Sequence, residues 1–333
     1  MRERRYDPTC DEWVTFAPDR QDRTYKPTDT CPLCPTMPGG AETEIPFPAF
    51  EVVAFDNRFP ALSPDAPEAE AAGPSLYQVG PATGRCEVVV YSDDHFATFA
   101  DLPLERVRTI VDVWADRWGA LAAEPGVGYV MPFENKGEVV GTTLSHPHGQ
   151  IYAFPDVPPR PQRELRTARR YRRATGRCIR CDVIQAEISD GRRVVATTGT
   201  WIAWVPFWAR FPYEVQVAPL RHVPSLPELT GAERDDLAIL LSVVTRSYDA
   251  LWDFTMPYVM AIHQQPASGD SRVREVSHLR VEFAPPYRSR DKLKHVAGSE
   301  LGAGAFISDA APEATARALR AARDRLAGEA GHG

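Results

Sequence analysis

The sequence predicts an α+β protein made of two copies of one unit, with two antiparallel sheets and helices packed on one face. Two observations predict this class. The same succession of motifs occurs twice along the chain. Within each copy, short runs of alternating polarity accompany one long segment with helical periodicity. Strands that follow one another directly form antiparallel pairs, and one helix per unit covers one side of its sheet.

Length and composition are those of a two-domain globular protein. The 333 residues suffice for two domains of ordinary size, each with its own core, and we expect them at residues 1–170 and 171–333. A hydrophobic content of 43% and a charged content of 25% are typical of soluble proteins. The net charge of -7 argues against attraction of the whole chain to nucleic acid.

The N-terminal segment and the cysteines indicate the compartment. The chain begins with the polar run MRERRYDPTCDEW, and it has no apolar run of the length that crosses a bilayer. Two close cysteine pairs suggest a metal rather than a disulfide in such a chain. We therefore expect a cytoplasmic protein without membrane contact.

The repeat begins with paired cysteines and continues into strands. Each half opens with C-x-x-C, in TCPLCP at 30–35 and RCIRCD at 177–182. An aromatic and proline-bearing segment follows, AFDNRFPAL at 54–62 and AWVPFWARFPYEV at 203–215. A strand then runs into a histidine, at 88–103 and 215–230. The order of these motifs predicts that the halves fold alike.

The second part of each repeat predicts one helix and two more strands. Apolar residues at spacings of three and four predict helices over 103–121 and 230–252. Strands are predicted in GYVMPFENKG at 128–137 and PYVMAIHQQP at 257–266. Alternating polarity predicts the last strand of each half, SHPHGQIYAF at 145–154 and SHLRVEFAPP at 277–286.

An arginine-rich segment lies between the halves, at 160–180. Its spacing is typical of an exposed helix that links two domains. A local cluster of arginines can also bind phosphate, so a nucleotide-binding role stays open.

The paired cysteines and the repeated histidines predict two metal centres. Two thiolates and two imidazoles complete a closed tetrahedral zinc site. The first set is Cys31, Cys34, His95 and His146. The second set is Cys178, Cys181, His222 and His278. The alternatives are buried structural cysteines beside unrelated histidines and, for the second half, a site that has decayed to free thiols.

The motif HPHGQ at 146–150 carries the chemistry. Alternate residues of a strand share a face, so His146, His148 and Gln150 are expected together. A neutral imidazole can attack phosphorus through one nitrogen while the other donates to an acceptor such as a backbone carbonyl. That logic makes His148 the candidate nucleophile. Spacing alone leaves a metal site or a chance pair as alternatives.

Nearly the whole chain resembles the galactose-1-phosphate uridylyltransferase family of the histidine triad superfamily. The resemblance is carried by RRYDPTCDEWVTFAPDRQDR, CPLC, DNRFPAL, SDDH, FENKGEVVGTTLSHPHGQ, PFWARFPYEV, RHVPSL and KHVAGSELGAG. It implies a duplicated histidine-triad-like unit, with the catalytic residues in the first domain.

The resemblance implies a role for each matching residue. His148 takes up the uridylyl group, and Gln150 hydrogen-bonds a non-bridging phosphoryl oxygen. Arg20 and Arg23 contact phosphate, reaching across a dimer interface. The remaining substrate contacts are to the nucleoside (Asn57, Phe59), to the phosphates (Asn135, Lys136, Gly141, Thr143) and to the hexose (Lys294, Gly298, Glu300).

At two places the sequence departs from the family, so the family's iron site and its sugar contacts are not assigned to this chain unchanged. Some members bind iron through a glutamate and three histidines, and the matching positions here are Glu187, His263, Arg280 and Glu282. A cationic Arg280 disfavours a metal there, so we expect zinc in the cysteine sites and no iron. Arg280 also stands where the first half has His148, so the second half is expected to be non-catalytic. Sugar contacts differ too, at Ser299 and Phe306.

The resemblance implies ping-pong transfer of UMP from UDP-glucose to galactose 1-phosphate in a homodimer that binds small molecules and no nucleic acid. Two alternatives stay open. The first is a phosphorylase of the same fold that acts on ADP-glucose. The second is a zinc-stabilised module that binds nucleotides without turnover.

Overall fold

The structure is a computed structural model that describes residues 2–25, 30–69, 73–267 and 270–330. The strands of the described parts are β1 (Glu3–Asp7), β2 (Glu12–Phe16), β3 (Val53–Asp56), β4 (Val79–Pro81), β5 (Arg85–Val90), β6 (Tyr129–Lys136), β7 (His148–Phe154), β8 (Val194–Thr197), β9 (Trp201–Trp204), β10 (Val215–Pro219), β11 (Tyr258–His263), β12 (Arg280–Ala284), β13 (Tyr287–Ser289) and β14 (Lys292–Leu293). The helices are α1 (Leu104–Ala122), α2 (Pro159–Thr175), α3 (Ile179–Asp190), α4 (Gly231–Asp249), α5 (Ser271–Arg274), α6 (Gly298–Ala303) and α7 (Pro312–Ala330).

One antiparallel sheet of nine strands runs through both halves. Its order is β3-β5-β7-β6-β11-β12-β10-β9-β8, and the halves meet where β6 pairs with β11. The α+β class is confirmed, and the two expected sheets join edge to edge into one. Each repeat alone would leave the outer edge of β6 or β11 unpaired, and pairing the two edges satisfies their backbone groups.

Three long helices cover one face of the sheet. Helix α1 turns Val107, Ile110 and Trp114 inward, at the spacing that predicted it. Helix α4 begins at a capping box in which Thr230 and Glu233 satisfy each other's backbone amides. Helix α1 packs on α4, and α4 packs on α7. Both helices predicted from the repeat are confirmed, with ends that differ by one to three residues.

The main core belongs to both halves. One cluster of buried apolar side chains extends from Val89 in β5 to Leu319 in α7. We expected one core per half, but the packing of α1 on α4 fuses them. The expected boundary at residue 170 lies within α2, and the division into two domains stays a prediction.

Helices α2 and α3 lie on the other side of the sheet. Arg160 of α2 donates two hydrogen bonds, of 2.6 and 2.7 Å, to the Glu282 carboxylate on β12. Arg280 of β12 donates to Glu164 of α2 at 2.7 and 2.8 Å. These two salt bridges, which we call the clasp, fix the linker helix to the second half of the sheet. The outward arginines of the helix are exposed. Among the described residues, no helix has the length and hydrophobicity needed to cross a membrane.

Candidate active site and metal centres

Strand β7 begins at His148, the third residue of the HPHGQ motif, and its residues alternate between the two faces of the sheet. Ile151 and Ala153 enter the core under the helices, whereas His148 and Gln150 lie on the opposite face and line a cavity. The Nδ1–H of His148 donates to the carbonyl oxygen of His146 at 2.7 Å, which leaves Nε2 with its lone pair. Burial lowers the pKa of His148, although this hydrogen bond opposes the shift. The imidazole therefore has the neutral form that a nucleophile needs.

Gly149 is required between these two residues. A Cβ atom at this position would lie 2.0 Å from the hydroxyl oxygen of Tyr91. Tyr91 is fully buried and packs edge-on against Trp114 of α1. The glycine thus lets β7 sit tightly on the core, so that His148 is held on a rigid strand.

Two adjoining cavities, of about 110 and 100 Å³, open beside His148. Both are lined by Arg20, Arg23, Thr143, His148 and Gln150. Asn57 and Phe59 line the first, and Asn135 and Gly141 line the second. The structure thus brings together nine of the residues singled out from the sequence.

Hydrogen bonds fix the polar groups around these cavities. The Asn57 amide donates to Oε1 of Gln150 at 3.3 Å, which leaves the Gln150 amide free to donate to a ligand. Arg20 donates to the Tyr152 hydroxyl at 2.6 Å. Arg20 and Arg23 therefore line the same cavities as His148 within one chain, whereas we expected both arginines to reach across a dimer interface. Sequence reasoning missed Tyr152, although alternation places it on the face of His148 and Gln150.

A third cavity, of about 550 Å³, also reaches His148 and is lined by Asn135, Lys136 and Thr143. The Lys136 ammonium lies 3.1 Å from both carboxylate oxygens of Asp249 on α4, so its charge is already paired.

The three residues expected to contact the hexose lie elsewhere. Lys294 is paired with Glu300 at 2.9 Å, and Gly298 begins α6. None of the three lines the cavities at His148.

The first ligand set comes together beside the active site. The ligand atoms of Cys31, Cys34, His95 and His146 all lie within 4.8 Å of one another. Nε2–H of His146 donates to the carbonyl of Ser92 at 2.7 Å, which turns Nδ1 toward Sγ of Cys34 at 3.6 Å. Two thiols and two imidazoles fit a tetrahedral zinc ion and leave no position for substrate.

The second ligand set repeats this arrangement. Cys178, Cys181, His222 and His278 also have their ligand atoms within 4.8 Å of one another. Nε2 of His278 bonds the carbonyl of Pro219 at 3.1 Å, and Nε2 of His222 bonds that of Arg274 at 3.0 Å. Both Nδ1 atoms are thereby directed at Cys181, at 3.5 and 3.7 Å. Both clusters can hold a metal.

The residues at the family's iron position form salt bridges instead. Glu187 accepts from Arg193 at 2.9 Å, Arg280 binds Glu164, and Glu282 binds Arg160. His263 is buried near the Arg280 and Glu282 pairs, and burial together with Arg280 lowers its pKa to about 3. This corner of the second half is an arginine and glutamate network.

The duplicated sheet, with a histidine, an amide and two arginines beside one cavity, defines a site suited to nucleotidyl transfer. The chain belongs to the galactose-1-phosphate uridyl transferase family. The model of that family's N-terminal domain matches residues 1–158, and the model of its C-terminal domain matches residues 164–328.

Relatives are similar over almost their whole length. The galactose-1-phosphate uridylyltransferase of Thermotoga maritima is 40% identical over 96% of this chain and 98% of its own. That of Rattus norvegicus is 35% identical over 95% and 86%. A solved uridylyltransferase is 35% identical, with a TM-score of 0.87 over 97% of this chain and 99% of that one. An ADP-glucose phosphorylase of Arabidopsis thaliana, 23% identical with a TM-score of 0.74 over 96% and 98%, shares the fold.

Proposed function

We propose that the chain is a galactose-1-phosphate uridylyltransferase that works through a uridylyl group carried on His148. One observation carries the proposal. The His148 ring is held by its Nδ1–H on a backbone carbonyl, so that Nε2 is available beside a cavity lined by Arg20 and Arg23. The relatives that match over nearly their whole length bear the name of this activity.

The reaction is two displacements at one phosphorus. In the first, Nε2 of His148 attacks the α-phosphorus of UDP-glucose, the bond to the bridging oxygen breaks, and glucose 1-phosphate leaves with the electron pair. In the second, a phosphate oxygen of galactose 1-phosphate attacks the same phosphorus and His148 leaves as neutral imidazole. The Gln150 amide and the two arginines would stabilise the charge on the non-bridging oxygens.

The cavities supply places for the rest of the substrate. Asn57 and Phe59 suit a nucleoside beside His148, and the turn at Gly141, with a φ of 88°, brings Thr143 to the phosphates. The larger cavity has room for the hexose phosphate. Because Lys294, Gly298 and Glu300 line none of these cavities, a role in hexose binding would require the partner subunit of a homodimer.

The proposal includes two zinc ions per chain. Each would be held by two cysteines and two histidines and would act as a structural tether, because four protein ligands leave no open position. We expect the enzyme to act in the cytoplasm and to bind only small molecules.

Isotope exchange tests the function. Enzyme incubated with UDP-glucose and labelled glucose 1-phosphate, without any acceptor, should transfer label into UDP-glucose, because the first half-reaction is reversible. Phosphate-dependent cleavage of ADP-glucose without this exchange would identify a phosphorylase instead. Binding of both nucleotide sugars without exchange or cleavage would indicate a non-catalytic module.

A further inference from the structure

The second half contains a cavity that the proposed reaction does not use. It has a volume of about 280 Å³ and lies between α2, α3 and the second half of the sheet. Four arginines and one glutamate line it: Arg163, Arg180, Arg210, Arg280 and Glu164. The lining is therefore strongly cationic.

Buried polar groups without partners line this cavity. Both ring nitrogens of His263, Nε2 of Gln264, Oγ of Ser277 and Nε of Arg280 have no hydrogen-bond partner among the described residues. Each of these side chains is at least 94% buried. Buried polar groups are almost always hydrogen-bonded, so this concentration of unpaired ones indicates a place for a polar ligand.

The charge decides which kind of ligand fits. Glu164 is already shared by Arg280 and Arg180. Neither Arg163 nor Arg210 forms a salt bridge with a described residue, and the Arg210 guanidinium lies over the ring of Phe306, so positive charge is in excess. An arginine facing the buried His263 disfavours a metal cation, whereas planar arginines that present several donors suit a phosphate.

The repeat also indicates a phosphate ligand, because the second-half cavity corresponds in position to the cavity beside His148. Arg280 begins β12 where His148 begins β7. The Arg-Phe-Pro of residues 58–60, which borders the first-half cavity through Arg58 and Phe59, recurs at 210–212, where Arg210 and the preceding Trp208 line the second. This parallel rests on the proposed function, whereas the charge and the unpaired atoms do not.

We propose that this cavity is a second, non-catalytic binding site for a small phosphate monoester, of the size of a hexose phosphate. The arginines bind the phosphate, and the exposed face of Trp208 covers the organic part. No transfer occurs there because a guanidinium replaces the imidazole.

Equilibrium dialysis with labelled glucose 1-phosphate tests the proposal. The double variant Arg163→Gln, Arg210→Gln should lose one site per chain, or bind there at least about tenfold more weakly, since it loses two charge-assisted contacts. The control variant Arg169→Gln, Arg170→Gln removes the same charge from exposed positions of α2 and should keep every site. Equal binding by all three proteins would overturn the proposal.

Hydrogen exchange on the unaltered protein gives a second readout that requires no variant. Glucose 1-phosphate should slow exchange in residues 159–168 and 276–282, and absence of protection there would also overturn the site. Isotope exchange at His148 is measured separately. If the unaltered protein shows no isotope exchange but still binds glucose 1-phosphate at the second site, the proposed function is wrong and the second site stands.

Discussion

At the scale of single residues, the site depends on which ring nitrogen of His148 keeps an available lone pair. The carbonyl of His146 accepts from Nδ1 of His148, and the Asn57 amide similarly orients Gln150. Both side chains are held by contacts that exist before substrate binds. Such preorganisation lets a small number of groups stabilise a phosphoryl transition state.

His148→Asn should lower both half-reactions by at least about 1,000-fold, because the amide cannot form the covalent intermediate. The thermal midpoint should change little, since the ring lies at the edge of a cavity. Half-reactions are followed by isotope exchange, with the exposed His295→Asn as the control. An H148N protein that still exchanges label would show that another group is the nucleophile.

Gln150→Leu should lower kcat by about 100-fold while binding of the nucleotide sugar changes much less, because the lost donor acts on charge that develops in the transition state. Steady-state kinetics separate the two parameters. If only KM rises, Gln150 contributes to binding and not to the transition state.

At the scale of elements, one cysteine and histidine cluster is tied to the strand that carries His148, and the other is not. His146 lies two residues before the start of β7 and its carbonyl orients His148, so the first cluster sets the start of that strand. The second cluster joins α3 to β12, where Arg280 stands in the repeat position of His148.

Loss of each cluster should therefore have a different effect. Cys34→Ser should reduce activity by at least about 100-fold, because a displacement of about 1 Å at a reacting group has that effect. Cys178→Ser should keep activity within about threefold while its thermal midpoint falls, since distant sites act independently and structural zinc contributes to folding. Elemental analysis should give two zinc ions for the unaltered chain and one for either variant. One zinc with one iron would contradict the account of the second half.

The clasp between α2 and β12 should make stability depend on pH. Burial raises the pKa of Glu282, but the Arg160 guanidinium, together with His263 and Arg280, outweighs burial and lowers that pKa to about 2. A depressed folded pKa adds stability above the unfolded value, near 4.5, and this stability is lost as the pH falls toward 2.

Glu282→Gln should therefore cost about 2 kcal/mol at pH 7, the value of a charged hydrogen bond, and the difference from the unaltered protein should shrink between pH 4.5 and about 2. Urea unfolding at several pH values measures it. Glu275→Gln removes an exposed partner of Arg172 on the same helix and should cost less than about 1 kcal/mol. Equal costs for the two variants would mean that the clasp does not stabilise the fold.

At the scale of the whole molecule, local patterns predicted more than long-range pairing did. Helices α1 and α4, the strand that carries His148 and both ligand sets follow from periodicity and from the repeat. The joining of β6 to β11 has no local signal, because the partners lie more than a hundred residues apart. The buried side of α2 was missed for the same reason, because its Arg160 and Glu164 pair with residues of β12 that are distant in sequence.

Alternation could have corrected one expectation. Asn135 and Lys136 are neighbours on β6, so they point to opposite faces and cannot both lie beside His148 in the same way. The structure pairs Lys136 with Asp249 of α4. The hexose contacts could not be judged from sequence, because the segment from 294 to 300 has no periodicity that places it against the sheet.

The central claim is that the nucleotide passes through His148, and trapping the intermediate tests it most directly. The enzyme is mixed with UDP-glucose labelled at the α-phosphorus, quenched in base, digested and analysed by mass spectrometry. The account predicts one uridylyl group per active chain, attached to His148, formed with one equivalent of glucose 1-phosphate and discharged by galactose 1-phosphate. Label on a different residue, or full turnover without any labelled protein, would contradict it.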